Sequence, residues 1–231
     1  MTEADWFACN DASGMLNNVQ MSSRKLRLFS VACCRCSQRL LLEAVHRKAL
    51  EIAERFADGE ATEQELTNVY ELVNKHLKPL NSCESEPEIQ RWAEAVAVLT
   101  ILSGDVGMTL WHLNRASADQ IDPLMAILLR DIVGNPFQPL NPPWLMSEEG
   151  SKVRDWPQFA NLRFKPEWLT ADALAIAKQM YESRDFSAMP ILADALQDAG
   201  CDNDDILNHC RDANGVHVRG CWVVDLVLGK S

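Results

Sequence analysis
The side chains best suited to chemistry crowd the end of the chain. Cys201, His209, Cys210, His217 and Cys221 fall within one short stretch, three of the eight cysteines and two of the five histidines. Thiolates and neutral imidazoles are the usual shell of a structural zinc ion, four ligands closing a tetrahedron. His217 and Cys221 stand four apart, which puts them on one helical face if the last helix begins that early. Cys33 and Cys34, in the run Cys33-Cys34-Arg35-Cys36, can add ligands from the other end of the chain. Against zinc, the terminal stretch has no C-x2-C pair and its intervals match no standard knuckle. The plainer alternative is that these thiols are small buried hydrophobes and the imidazoles are hydrogen-bonded or exposed. On spacing alone that alternative carries more weight.

A thiol nucleophile is a second chemistry to weigh. Cys34 or Cys210 would need His209 or His217 within hydrogen-bond reach. His209 and Cys210 are neighbours, and neighbours on a helix point apart. No glycine-framed nucleophile turn accompanies any cysteine. No residue is therefore assigned a catalytic role. Asp202, Asp204 and Asp205 lack the glycine and distal glutamate of a calcium loop and read as acids at a helix start. Asp225, inside the apolar run Trp222–Leu228, needs a basic partner or the surface.

Composition narrows the classes. A 231-residue chain with 47% apolar and 24% charged residues folds as a globular protein, in one large domain or two small ones. A formal net charge of −11 argues against bulk binding to nucleic acid or anionic lipid, where basic patches supply the affinity. No apolar run is long enough for a membrane span, and the acidic start (Met1-Thr-Glu-Ala-Asp-Trp6) is unlike a signal peptide. The expectation is a cytoplasmic protein, in which cysteines are reduced or bind metal.

The elements that must position these residues read as helices throughout. Leu26, Phe29, Ser30 and Cys33 recur at three-and-four spacing after Ser22-Ser23. Arg24, Arg27 and Arg35 lie on the other faces of that helix, a local basic strip. Thr62-Glu-Gln-Glu65 is a capping box opening a helix from Glu63 to about Leu77. Another amphipathic helix spans Asp122 to Val133. Between Pro136 and Pro166 six prolines alternate with Trp144, Trp156, Phe159 and Phe164, which describes an irregular segment held by its aromatics. Helices resume at Thr170-Ala-Asp-Ala, and the last is expected over Val218 to Leu228, stopped by Gly229.

Four stretches together resemble a known group: Arg24-Lys-Leu-Arg-Leu-Phe29 with Ala32-Cys-Cys-Arg35; Leu129-Arg-Asp-Ile-Val-Gly-Asn-Pro-Phe137; Met189-Pro-Ile-Leu-Ala-Asp-Ala-Leu196 with Ala199-Gly-Cys201; and His209-Cys-Arg211 with His217-Val-Arg-Gly-Cys-Trp-Val-Val-Asp225. They are similar to a large set of paralogous, uncharacterised planctomycete proteins. That resemblance carries no assigned activity, so it implies none.

The expected architecture is an all-α array of about nine or ten helices. It has helical parts over residues 1–133 and 169–231, flanking the Pro/Trp-rich segment 134–168 within one compact unit. The leading functional expectation is a non-enzymatic interaction or regulatory module of a bacterial multi-protein system. Its protein partner would meet Trp144 and Trp156, or the strip of Arg24, Arg27 and Arg35; nucleic acid and membranes are not expected partners. The alternative is a zinc- or thiol-dependent enzyme centred on Cys33–Cys36 and the terminal Cys/His set. The cofactor is none, or structural zinc bound by Cys201, His209, Cys210, His217 and Cys221, with Cys33 and Cys34 in reserve.

Overall fold
The structure, a computed structural model, describes residues 1–36, 40–77, 86–116, 122–137 and 164–230. Among these, regular structure is helical throughout, in the order α1 (Glu3–Ala8), α2 (Ala12–Leu16), α3 (Ser23–Arg35), α4 (Ala44–Ala57), α5 (Glu63–Leu77), α6 (Glu86–Ser103), α7 (Val106–Ala116), α8 (Asp122–Val133), α9 (Ala171–Ser183), α10 (Met189–Asp198), α11 (Asp204–Arg211) and α12 (Trp222–Leu228). The protein is all-α. None of the described helices is long and apolar enough to cross a membrane. Contacts divide the chain into two compact units, Met1–Leu129 and Arg130–Ser231. The division falls inside α8, so the last turn of that helix belongs to the second unit. Most of the Pro/Trp-rich segment, Trp144 and Trp156 included, lies outside the described residues.

The first unit is started by its caps. Thr2 and Asp5 form a capping box on α1, Asp11 caps α2, and Ser22 accepts from the Lys25 amide at the head of α3. The box expected at Thr62 forms: its hydroxyl accepts from the Glu65 amide while the Glu65 carboxylate accepts from the Thr62 amide. The α3 helix is the centre of this unit and packs on α4, α6 and α7. It buries Leu28, Phe29, Val31, Cys33 and Cys34 against a core that includes Leu50, Ile101, Leu110 and Leu113.

The second unit has its own core. Thr170 caps α9 and Asn203 caps α11 through side-chain oxygens. The α10 helix packs on α9 and α11, and α12 packs on α9 and α11. Trp168, Tyr181, Met189, Leu192, Leu196, Ile206, Val223 and Val227 fill the space between them, together with Cys201 and Cys210. Burying a branched or aromatic side chain of this kind contributes about 1.5–3 kcal/mol relative to leaving it exposed.

The last helix corrects one expectation. It begins at Trp222, not Val218, so His217 and Cys221 do not share a helical face. One feature stops a helix from starting earlier. Gly220 has φ +94, a left-handed conformation no helix tolerates. The Val218 amide donates to the Asp131 carboxylate, at 2.9 Å. Residues 218–221 form a turn instead, the Cys221 amide donating to the Val218 carbonyl at 2.9 Å, and Cys221 becomes the N-cap residue of α12.

Candidate metal centre
Separate pieces of the second unit bring four donors together. Asp131 comes from the last turn of α8. His209 projects from α11, His217 from the loop after it, and Cys221 from the head of α12. Their ligand atoms all lie within 4.8 Å of one another. Asp131 is 3% exposed and Cys221 fully buried, and the His217 and His209 side chains keep 6% and 19% of their surface.

Asp131 is the hub. Its Oδ1 lies 2.7 Å from Nδ1 of His217 and 3.3 Å from Nε2 of His209. Its Oδ2 accepts the Val218 amide. Burial pushes this carboxyl up, but hydrogen bonds from His209 and His217 outweigh it and hold the group below the usual carboxylate range. Asp131 thus stays ionised. The position also explains itself locally: Leu128 and Ile132 are fully buried on the same side of α8, so residue 131 must face inward.

His209 supplies the decisive geometry. Its Nε2 is 3.2 Å from Cys221 Sγ as well as 3.3 Å from Asp131 Oδ1. One nitrogen carries either one proton or one lone pair. If it is protonated it can donate to the carboxylate or the sulfur, but not well to both. If it is bare it accepts the thiol proton and then faces the carboxylate's negative charge. A cation between the three atoms would resolve the conflict. Ligand atoms bound tetrahedrally to zinc, with bonds of about 2.0–2.3 Å, stand roughly 3.3–3.7 Å apart. The two contacts made by His209 Nε2 are close to that range. The Asp131–His217 contact is a hydrogen bond and must open by roughly half an ångström to admit an ion.

The same geometry does not build a nucleophile relay. In such a relay the carboxylate and the nucleophile occupy opposite nitrogens of the imidazole, whereas here both face Nε2. Cys221 is also sealed from solvent, and burial, with Asp131 nearby, pushes its thiol well up. A metal is what would deprotonate it.

Of the candidates read from sequence, the structure places His209, His217 and Cys221 in this group. Cys201 and Cys210 are not in it. They sit in the second unit's hydrophobic core, where burial raises the Cys201 thiol and pushes that of Cys210 up to about 12. Cys33 and Cys34 belong to the first unit and line its core. The basic strip is engaged internally. Arg24 pairs with Asp58 at 2.9 Å, Arg35 forks onto both oxygens of Glu54 at 2.9 and 3.0 Å, and Arg27 reaches the carbonyls of Ile101 and Leu102 at 2.6 and 3.2 Å. Trp144 and Trp156 lie outside the described residues.

Asp131 is the member that sequence reasoning missed. The available signal was a carboxylate on the apolar side of α8, three residues after Leu128 and next to Ile132. A charge there needs a buried partner.

A comparison of the chain with known protein families, with curated proteins and with solved structures finds no match.

Proposed function
We propose that the second unit is a zinc-stabilised helical module, its ion held by Asp131 Oδ1, His209 Nε2, His217 Nδ1 and Cys221 Sγ. The observation that carries this reading is the placement of a carboxylate and a thiol on the same nitrogen of His209. Two imidazoles, one thiolate and one carboxylate form a donor set suited to zinc, and four protein ligands leave no open position for substrate. The role is structural: the ion ties the end of α8 to α11 and to the head of α12, adding to the packing of α12 on α11 and the Val218–Asp131 hydrogen bond. The chain as a whole is read as a non-enzymatic module whose partner is another protein.

Elemental analysis of protein purified without added metal should give one zinc per chain. Chelation should lower its melting temperature, and zinc but not magnesium should restore it. Metal-free protein with a melt indifferent to chelator and to added zinc would overturn the reading. For the partner, capture from native lysate should weaken when Trp144 or Trp156 becomes alanine.

A further inference from the structure
The end of α8 and the head of α12 meet at one close backbone-to-ring contact. Gly134 follows α8 with φ +74, and a Cβ at this position would lie 3.1 Å from both Cγ and Cδ2 of Trp222 and 3.3 Å from Cδ1. The indole therefore lies against the Gly134 backbone, and a methyl group there would require it to give by a few tenths of an ångström. The Gly134 amide closes the final turn of α8 on the Arg130 carbonyl at 2.8 Å, the turn that contains Asp131. Trp222 itself follows Cys221 in the chain, and its ring lies 5.1 Å from the His209 ring, tilted at 51°. One indole is thus covalently next to one donor, packed on a second, and pressed against the turn that carries a third.

We infer that the Gly134–Trp222 contact is the positioning element of the metal centre, fixing the separation of Asp131 from Cys221 and the ring plane of His209. This inference rests on the zinc reading above. Neither residue donates to the ion. Their effect is on preorganisation: residues that hold ligands in place commonly change metal affinity by about 10–100-fold when altered.

The test is zinc affinity by competition with a chromophoric chelator, together with the ligand-field spectrum of the cobalt-substituted protein. Gly134→Ala should weaken zinc by about 10–100-fold and shift the cobalt bands while still binding one ion. The left-handed backbone alone penalises alanine, so Gly229→Ala is the matched control. Gly229 has φ +65, and a methyl group there would meet nothing within 4 Å, so this variant should keep wild-type affinity and spectrum. Trp222→Phe, with its smaller ring, should weaken zinc only a few-fold, and the double variant Gly134→Ala/Trp222→Phe should bind more tightly than Gly134→Ala alone. If Gly134→Ala does not fold, Trp222→Ala replaces it and should weaken zinc by the same factor. Affinity in these variants equal to that of Gly229→Ala, or no rescue by phenylalanine, overturns the inference and leaves the zinc reading standing. Failure of the wild-type protein to bind zinc overturns both.

Discussion

Nε2 of His209 stands 3.2 Å from Sγ of Cys221, and the same nitrogen is 3.3 Å from the Asp131 carboxylate. Under the zinc proposal, the thiol and the carboxylate that converge on this nitrogen share one ligand sphere. Cobalt substitution reads this directly. Wild-type protein should show the intense sulfur-to-cobalt charge-transfer absorption of a single thiolate ligand. Cys221→Ser should lose it, while Cys210→Ala and Cys201→Ala should keep it. Retention of the band in Cys221→Ser would exclude Cys221 from the site.

The pH dependence follows from the same thiol. Burial, with Asp131 nearby, raises Cys221 well above its ordinary value, so at neutral pH the metal-free protein holds the proton on sulfur. Each ion that binds must displace it. Zinc affinity should therefore fall by at least about tenfold for each pH unit toward acid, and calorimetry in buffers of different ionisation enthalpy should find about one proton released from the thiol. Heats that do not depend on the buffer would contradict this.

Much of the fold is legible in the sequence because its signals are local. The Thr62–Glu65 capping box opens α5 as expected, and the apolar period of α8 places Asp122–Val133 as expected. The start of α12 is harder to read, because apolar periodicity continues through Val218 while Gly220 breaks the backbone, φ +94. The site is half legible. His and Cys crowding points to three of the four grouped donors, but Asp131 and His217 are 86 residues apart, and no short-range spacing can announce a group drawn from such separated segments. Cys201 and Cys210 enter the expected set through proximity alone, which does not distinguish a ligand from a core thiol.

Asp131 bears on stability as well as on metal. Its carboxyl is held below the usual range by His209 and His217. A depressed carboxylate stabilises the fold above its unfolded value, near 3.9, and that contribution is lost as pH falls through the folded value. Asp131→Ala leaves the Val218 amide and the His217 imidazole without their buried acceptor, and should cost about 3 kcal/mol in metal-free protein at neutral pH. Urea unfolding of chelator-treated protein at pH 7 and below pH 3 checks it. The gap between wild type and variant should narrow in acid, and a gap that widens there would refute the account.

Thiol accessibility gives a further test, because both units carry buried thiols. Cys36 is exposed and Cys9 half-buried, while Cys33, Cys34, Cys201, Cys210 and Cys221 are buried. Maleimide labelling followed by peptide mass analysis should modify Cys36 first and Cys9 next among these seven. Chelation should then expose Cys221 without changing Cys33 or Cys34, which belong to the first unit. Labelling of Cys221 at the same rate with and without chelator would argue that no ion protects it.

Arg27 tests whether the basic strip is spent inside the fold. Its guanidinium donates to the carbonyls of Ile101 and Leu102 at the end of α6, at 2.6 and 3.2 Å, and lies 5.0 Å over the Phe56 ring. Helix C-termini leave carbonyls short of intrahelical partners, and a cation there supplies hydrogen bonds and meets the helix dipole, even though the Ile101 carbonyl also accepts the Gly104 amide at 3.1 Å. Arg27→Met keeps most of the apolar stem but removes the donors, and should destabilise the first unit by about 2 kcal/mol. Exposed strips that serve a partner behave otherwise: their loss leaves folding almost untouched. Hydrogen exchange at the end of α6 should accelerate in Arg27→Met while zinc affinity stays at the wild-type value. Unchanged exchange there would return Arg27 to the surface chemistry expected from the sequence.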